Sequence, residues 1–361
     1  MTGYMKLYTL LREKITRRIY HEGEKLPSKR QLSDESGYSV ITVEHAYELL
    51  TEEGYVEPRE RSGYYVIYKE GDSYPVAERE VPFRQTPERV DVERREAGER
   101  DLFPFSAFAR TMRNVLSTSG EKILDPSPNK GCLALREALA AYLARSRHME
   151  VSSEAILIGS GAEYLYGLNV QVLGRNRMYA LENPSYEKIR KVYEAWQVPL
   201  EFLTMGKEGI ETRELEKSHA SVLHVTPFNS YPSGITASAS KRAEYIRWAR
   251  ERQGFIIEDD FDSEFTLLSK PEDTLFSLSP EGPVIYMNSF SKTIAPSIRV
   301  GYLVIPALLL PRYEEKVGFY SCTVPVFDQL VLAEFIRSGQ FERHINRVRR
   351  RRRKMEALRK H

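Results

Sequence analysis

Cysteine is scarce in this chain: 361 residues hold two, Cys132 and Cys322. They lie far apart and without metal-ligand spacing. That argues against a disulfide framework or a zinc site and fits a reducing compartment, the cytoplasm. Continuous apolar runs long enough to span a bilayer are missing too. Met1 to Tyr20 is amphipathic and charged, so neither a signal peptide nor a membrane partner is expected. Neither charge is in excess, since 53 Lys and Arg stand against 51 Asp and Glu for a net charge of +2. That balance argues neither for nor against a nucleic-acid partner. Repeats and low-complexity tracts are absent as well. What is present is an ordinary globular composition, 41% hydrophobic and 29% charged, at a length that allows two domains with a large core in at least one.

Leu7, Leu10, Leu11, Ile15 and Ile19 recur at helical spacing and predict a first amphipathic helix. Pro27 sets an extended entry, and Ser28 with Gln31 three residues on is a capping-box start for a second helix, which Gly37 breaks. Ser39 can cap a third helix with apolar positions Val40, Val43, Ala46, Tyr47 and Leu50, ended by Gly54. Two strand-like runs follow, Tyr55–Glu57 and Tyr64–Ile67. Helix, helix, turn, helix and β-hairpin make a winged helix-turn-helix over residues 1–68. In such a unit Ser28, Lys29 and Arg30 can meet the phosphates of a double-stranded DNA operator. Ser39, Val40, Ile41, Thr42 and His45 would lie in the major groove, and Arg59, Arg61 and Gly63 would form the wing. Residues 1–68 carry ten Lys and Arg against eleven Asp and Glu, so positive charge has to be gathered on one face.

This stretch resembles the GntR-type winged-helix family through Gly23-Glu24-Lys25-Leu26-Pro27-Ser28-Lys29-Arg30, Thr42-Val43, Ala46-Tyr47, Glu53-Gly54-Tyr55-Val56 and Ser62-Gly63-Tyr64-Tyr65-Val66. It departs at Val40, where the family usually has an arginine after the serine that opens the recognition helix. That departure shifts the expected binding towards methyl-group contacts and the wing.

Residues 69–88 are rich in charge, contain Pro75, Pro82 and Pro87, and suggest an exposed linker. From residue 89 on, helical patterns alternate with short apolar runs, among them Ala155–Ile158, Ser221–Val225, Gly254–Ile257 and Pro283–Met287. Such runs predict an α/β fold, a buried and mostly parallel sheet with helices on both faces. Its functional residues would sit just past the C-terminal strand ends, and polar clusters fall there. Gly159-Ser160-Gly161-Ala162 opens a helix and offers amides to a phosphate. Tyr186 could stack on a heterocycle. Glu258-Asp259-Asp260-Phe261-Asp262 could bind a metal, or a single carboxylate in it could keep a pyridine nitrogen protonated. Ser289, Ser291 and Arg299 suit a phosphate, and Lys292 suits an aldehyde that forms a Schiff base. Each cluster alone is more often a turn. All four in this order fit a phosphorylated aldehyde cofactor.

The body resembles the fold type I pyridoxal-phosphate aminotransferases, and with its head the chain resembles the MocR/GabR subfamily of regulators. The resemblance rests on Leu102-Phe103-Pro104, Leu135-Arg136-Glu137-Ala138-Leu139-Ala140, Thr226-Pro227, Tyr231-Pro232-Ser233-Gly234, Glu258 through Phe265, and Ser289-Phe290-Ser291-Lys292 with Arg299-Val300-Gly301-Tyr302. It implies pyridoxal 5'-phosphate joined to Lys292, with Asp259 on the pyridine nitrogen and Tyr186 on the ring. Gly161, Ala162, Ser289, Ser291 and Arg299 would hold the phosphate, and no metal is implied. It also implies a head-to-tail homodimer and an effector that is a small amino compound or the cofactor itself. Relatives continue past the position of His361 into a small C-terminal subdomain carrying a carboxylate-binding arginine, so the body is expected to be incomplete at that end. Lys188, Arg190 and Lys191 are candidate substitutes for that arginine, or merely a solvated helix face. The basic row Arg349–Lys354 is expected to be a solvated helix face too, with Val348, Met355 and Leu358 as its sparse apolar stripe.

Three functions follow in order: a regulator sensing an amino compound or the cofactor, an active aminotransferase with an accessory DNA-binding head, and a cofactor-independent repressor with a vestigial body. Phe261 bears on the choice, because the family has at that position a tyrosine that donates to the cofactor's phenolic oxygen. Without that donor the phenolate loses stabilisation. The Schiff base of the bound cofactor should therefore titrate at higher pH than in tyrosine-bearing relatives, and a spectrophotometric pH titration checks this.

Overall fold

Leu7, Leu11 and Ile15 recur every three to four residues and so share one stripe of α1 (Gly3–Thr16), each 1% exposed. The structure is a computed structural model and describes residues 3–60, 62–69, 103–266 and 272–359. Helix α2 (Lys29–Ser36) starts where Ser28 Oγ accepts from the Gln31 amide at 3.2 Å and stops at Gly37, whose φ of 72° suits a residue without Cβ. Helix α3 (Val40–Glu52) starts in the same way, with Ser39 Oγ accepting from the Thr42 amide at 3.2 Å. Val43, Ala46, Tyr47 and Leu50 bury its inner face in one cluster with α1. The wing is β1 (Val56–Arg59) against β2 (Gly63–Val66), antiparallel with Val56 opposite Val66. Tyr47 ties the parts together: its hydroxyl donates to the Pro27 carbonyl at 2.7 Å, and its ring centre lies 4.8 Å from that of Tyr64.

Two side chains in this unit depart from the sequence expectation. Leu10 is 49% exposed, and Ile19, 60% exposed, follows the end of α1 at Thr16. Val40, named both as an apolar position of the third helix and as a major-groove residue, is 41% exposed. It sits in the first turn, ahead of Val43, where the helix first meets its neighbours.

The chain divides into two units, Met1–Val92 and Glu93–His361; of the expected linker 69–88, all but Lys69 lies outside the described residues. In the second unit α4 (Phe105–Ser119) and α5 (Leu133–Arg147) precede β3 (Ile156–Gly159), α6 (Ala162–Leu173), β4 (Tyr179–Asn183) and α7 (Glu187–Ala195). Then come β5 (Leu200–Gly206), β6 (Gly209–Ile210), α8 (Thr212–Lys217), β7 (Val222–Val225), α9 (Ala239–Glu251) and β8 (Phe255–Asp259). The order ends with α10 (Leu275–Leu278), β9 (Val284–Ser289), α11 (Phe290–Thr293), β10 (Gly301–Val304), α12 (Leu310–Val317), α13 (Val326–Arg337) and α14 (Gln340–Arg359).

One sheet of order β3-β10-β9-β8-β7-β4-β5-β6 runs through this unit. The pairs β9-β8, β8-β7, β7-β4 and β4-β5 are parallel, as expected of apolar runs separated by helices. The sheet is nevertheless mixed. Strand β10 is antiparallel to both β9 and β3, because only the short α11 turn separates it from β9 and no crossover reverses the chain. Side chains alternate between faces. Ile256, Val284, Tyr286, Tyr302 and Val304 pack with α4, α5, α9 and α13, whereas Ile257, Ile285, Met287 and Leu303 pack with α6, α7 and α12.

Helix α14 meets the expectation of a solvated basic face in part: Arg350, Arg351, Arg353 and Lys354 are exposed, whereas Arg349 and Arg352 are half-buried. Ile345 and Val348 are buried, but Met355 and Leu358 are 50% and 64% exposed, so the predicted stripe holds at Val348 alone. Arg349 turns inward, and its Nε donates to the Glu264 carbonyl at 2.6 Å. Leu139, fully buried on α5 in the cluster shared with α13, should destabilise this unit by about 2–5 kcal/mol when replaced by Ala; urea unfolding of the variant beside the parent checks this.

Candidate functional site

Strand direction decides which polar groups meet. Strands β4, β7, β8 and β9 point the same way, so Asn183, Val225, Asp259 and Ser289 lie at one edge of the sheet. Antiparallel pairing adds the start of β10 and the end of β3, since Gly301 faces Ser289 on one side and Gly159 on the other. The predicted Gly159–Ala162 turn, Ser289–Lys292 and Arg299 thus converge where the sheet ends. Gly161 has φ 92°, and a Cβ there would lie 2.8 Å from Arg299 Nη2, so the missing side chain leaves room for the guanidinium. Arg299 is exposed and pairs with Glu163 in the first turn of α6, with Ala162 beside it. Ser291 Oγ donates to the Ile298 carbonyl at 3.2 Å, and Ser289 is half-buried.

Asp259 is 4% exposed and is held by groups that no motif announced. The Tyr166 hydroxyl on α6 donates to its Oδ2 at 2.5 Å. His224 Nε2 lies 3.6 Å from the same oxygen, while His224 Nδ1 shares a 2.7 Å hydrogen bond with the Tyr193 hydroxyl. Burial beside the Asp259 charge pushes the Tyr166 hydroxyl far up, so it stays a proton donor. The signal for His224 was a polar residue inside the apolar run of β7; Tyr166 and Tyr193 gave none.

Lys292 Nζ lies 2.8 Å from Asp262 Oδ2 and 4.8 Å from the centre of the Phe261 ring. Asp262 also accepts from Asn229 Nδ2, and Arg352 Nη1 of α14 stands 3.9 Å from its Oδ1. The segment carrying Asn229 is fixed from below: Glu182 of β4 accepts from the Thr226 amide at 3.2 Å and from Ser230 Oγ at 2.6 Å. Tyr186 precedes α7, half-buried, with its ring centre 5.9 Å from that of Tyr231. On α7, Lys191 pairs with Glu187 and Arg190 with Glu194, as a solvated helix face would, whereas Lys188 Nζ lies 5.8 Å from the Tyr186 ring centre and 4.0 Å from Glu163. Among the described residues no group of three or more His, Cys, Asp or Glu is arranged to hold a metal ion, and no helix is long and apolar enough to cross a membrane.

In the first unit Ser28 and Ser39 serve as helix caps, and Ser39 Oγ is also 2.9 Å from Thr42 Oγ1. Lys29 pairs with Glu44 of α3, Arg30 is exposed, and the exposed His45 ring packs edge-on to Tyr4 at 5.9 Å. Arg59 pairs with Glu57 at 2.7 Å over the Tyr65 ring, and Gly63 has φ 119°. Arg61 lies outside the described residues.

The sequence profile of the family described as bacterial regulatory proteins, gntR family, matches residues 4–66, and that of aminotransferase class I and II matches residues 97–361. The HTH-type transcriptional regulator YdeL of Bacillus subtilis is 35% identical over 360 residues, 98% of this chain and 78% of YdeL. This chain belongs to the GntR-headed, aminotransferase-like transcription regulators of MocR type. The probable rhizopine catabolism regulatory protein MocR of Rhizobium meliloti is 26% identical over 96% of this chain and 74% of MocR. Among solved structures, kynurenine aminotransferase of Pyrococcus horikoshii superposes with a TM-score of 0.63 at 26% identity, covering 69% of this chain and 64% of that one. The chain therefore spans less than two thirds of that aminotransferase.

One site residue of this regulator carries a pH signature. Burial pushes the Glu182 carboxyl up to about 7, despite the hydrogen bonds it accepts. A carboxyl raised in the fold binds its proton more tightly there than in the unfolded chain. Its stabilising effect is complete below the ordinary carboxylate range and is lost as pH rises through about 7. Glu182→Gln should therefore flatten the decline in stability between pH 5 and 8, as urea unfolding across that range would reveal.

Proposed function

We propose that this protein is a transcription regulator whose head binds a double-stranded DNA operator and whose body senses an amino compound, or pyridoxal phosphate itself, through pyridoxal 5'-phosphate held at Lys292. The observation that carries the reading is the Lys292 amine on Asp262 at 2.8 Å, at the same sheet edge as Asp259, Ser289 and the Gly161–Arg299 contact. The residues present fit the cofactor. The absent Gly161 Cβ and the exposed Arg299 guanidinium suit its phosphate, with Ala162, Ser289 and Ser291 beside them. The Asp259 carboxylate, oriented by Tyr166 and His224, suits a protonated ring nitrogen, and Tyr186 borders the same edge.

When bound, the cofactor supplies an aldehyde that condenses reversibly with amines, which makes such a site selective for amino compounds. This chain's own residues manage the proton. Lys292 must be neutral to act as a nucleophile, and Asp262 Oδ2 is the acceptor within reach. Asn229 and the Arg352 guanidinium both face Asp262 and hold its carboxylate in place. Phe261 against Lys292 offers no hydroxyl, which favours sensing over turnover. The relative named the pyridoxine biosynthesis transcriptional regulator PdxR, from Corynebacterium glutamicum, is 28% identical over 94% of this chain, which supports a vitamin B6 compound as one effector. The head-to-tail homodimer that family resemblance implies belongs to the same reading, since two heads would read two half-sites. A ligand shifts DNA affinity only by binding two arrangements of the protein unequally.

Adding pyridoxal phosphate should produce a visible absorption band that Lys292→Ala lacks, and DNA affinity should change with the cofactor in the parent alone. A band in neither protein, with DNA binding indifferent to cofactor, would leave a cofactor-independent repressor with a vestigial body. Sustained transfer of an amino group to an oxo acid would instead favour the aminotransferase.

A further inference from the structure

We propose that the first turn of α3 reads thymine methyl groups, so that each operator half-site carries thymines where this helix meets the major groove. The inference rests on the reading of the head as DNA-binding and adds the base it prefers. Helix α3, Val40–Glu52, contains no Lys, Arg, Asn or Gln. The side chains that grip guanine or adenine by paired hydrogen bonds are therefore missing from the element a winged helix inserts. In their place the first turn presents Val40 and Ile41, 41% and 65% exposed.

The polar side chains of the first turn are engaged with one another or with the helix end. Ser39 Oγ caps the Thr42 amide and lies 2.9 Å from the Thr42 hydroxyl. Glu44, one turn further along, pairs with Lys29 of α2, and the Lys29 amine stands 5.6 Å from the Tyr64 ring centre on the wing. Two aliphatic side chains thus stand at the positive end of a helix whose Glu44, one turn on, is held by the α2 lysine. Among the bases, thymine alone offers a methyl group in the major groove.

The test uses the whole chain. Duplexes are selected from a random pool, and the preferred duplex is resynthesised with deoxyuridine for thymidine, which deletes only the methyl group. Binding is compared at one salt concentration, because phosphate contacts make affinity salt-dependent. Thymines should recur in the selected half-sites, and deoxyuridine should weaken binding by about fourfold for each methyl contacted. Val40→Ala/Ile41→Ala, which alters exposed side chains only, should lose the discrimination between thymidine and deoxyuridine duplexes that the parent shows, whatever its overall affinity.

Equal affinity of the parent for both duplexes would overturn the proposal while leaving DNA binding intact. So would a deoxyuridine penalty that persists undiminished in the double variant. Failure to select any duplex would overturn both the proposal and the DNA-binding reading beneath it.

Discussion

Much of the second unit is organised around one buried ion pair, Arg147 to Asp260 at 2.5 Å, with side chains 3% and 0% exposed. Isolated charges at such depth would be very costly, so each holds the other in place. The Tyr286 hydroxyl also donates to Asp260 at 2.7 Å, and Asn288 Nδ2 donates to Glu264 at 2.6 Å. The pair thus joins the end of α5 to the strand ends of β8 and β9. Its geometric consequence is local: Asp259 and Asp262 lie on either side of Asp260, and Ser289 follows Asn288. Charges that never touch a ligand thereby set the positions of those expected to do so.

The neighbourhood is unusually rich in buried acids. Burial pushes Glu264 up to about 7 and Glu258 up to about 8, with the Asp260 charge adding to both. Glu258 uses its carboxyl structurally, accepting from the Leu275 and Phe276 amides at 2.7 and 2.9 Å and so capping α10. The acidic run 258–262 therefore divides its work. Alternation along the chain sends Glu258 and Asp260 into the frame, while Asp259 meets Tyr166 and His224, and Asp262 meets Lys292. The head follows another economy. With acids and bases nearly balanced, its recognition helix contains neither Lys nor Arg, and its basic residues sit on and just after α1, around the start of α2 and on the wing.

A large part of both units was legible in the sequence. The head was legible because its signals are local: Ser28 and Ser39 cap the helices that follow them, Gly37 ends one, and the spacing of Val43, Ala46 and Leu50 marks a buried face. The sheet was legible because its strands are buried on both faces and so appear as unbroken apolar runs. Exposure was harder to read, as Leu10, Ile19 and Met355 illustrate, because an apolar side chain does not record whether a neighbour exists to cover it. The reversal of β10 escaped notice too, since an apolar run carries no direction.

Sequence by itself determined the element order of the head, the caps of its second and third helices, the family and the residue types at the strand ends it located, all of which depend on near neighbours along the chain. Tertiary structure alone decided which of those residues meet. Tyr166 reaches Asp259 across 93 positions, Arg147 reaches Asp260 across 113, and Arg299 reaches Glu163 across 136. Arg352 comes to Asp262 only because α14 packs its Ile345 and Val348 into the core and turns a row of arginines partly inward. Contacts of that range depend on how strands pair and on which helix faces are buried, and neither is written in any local stretch of the chain.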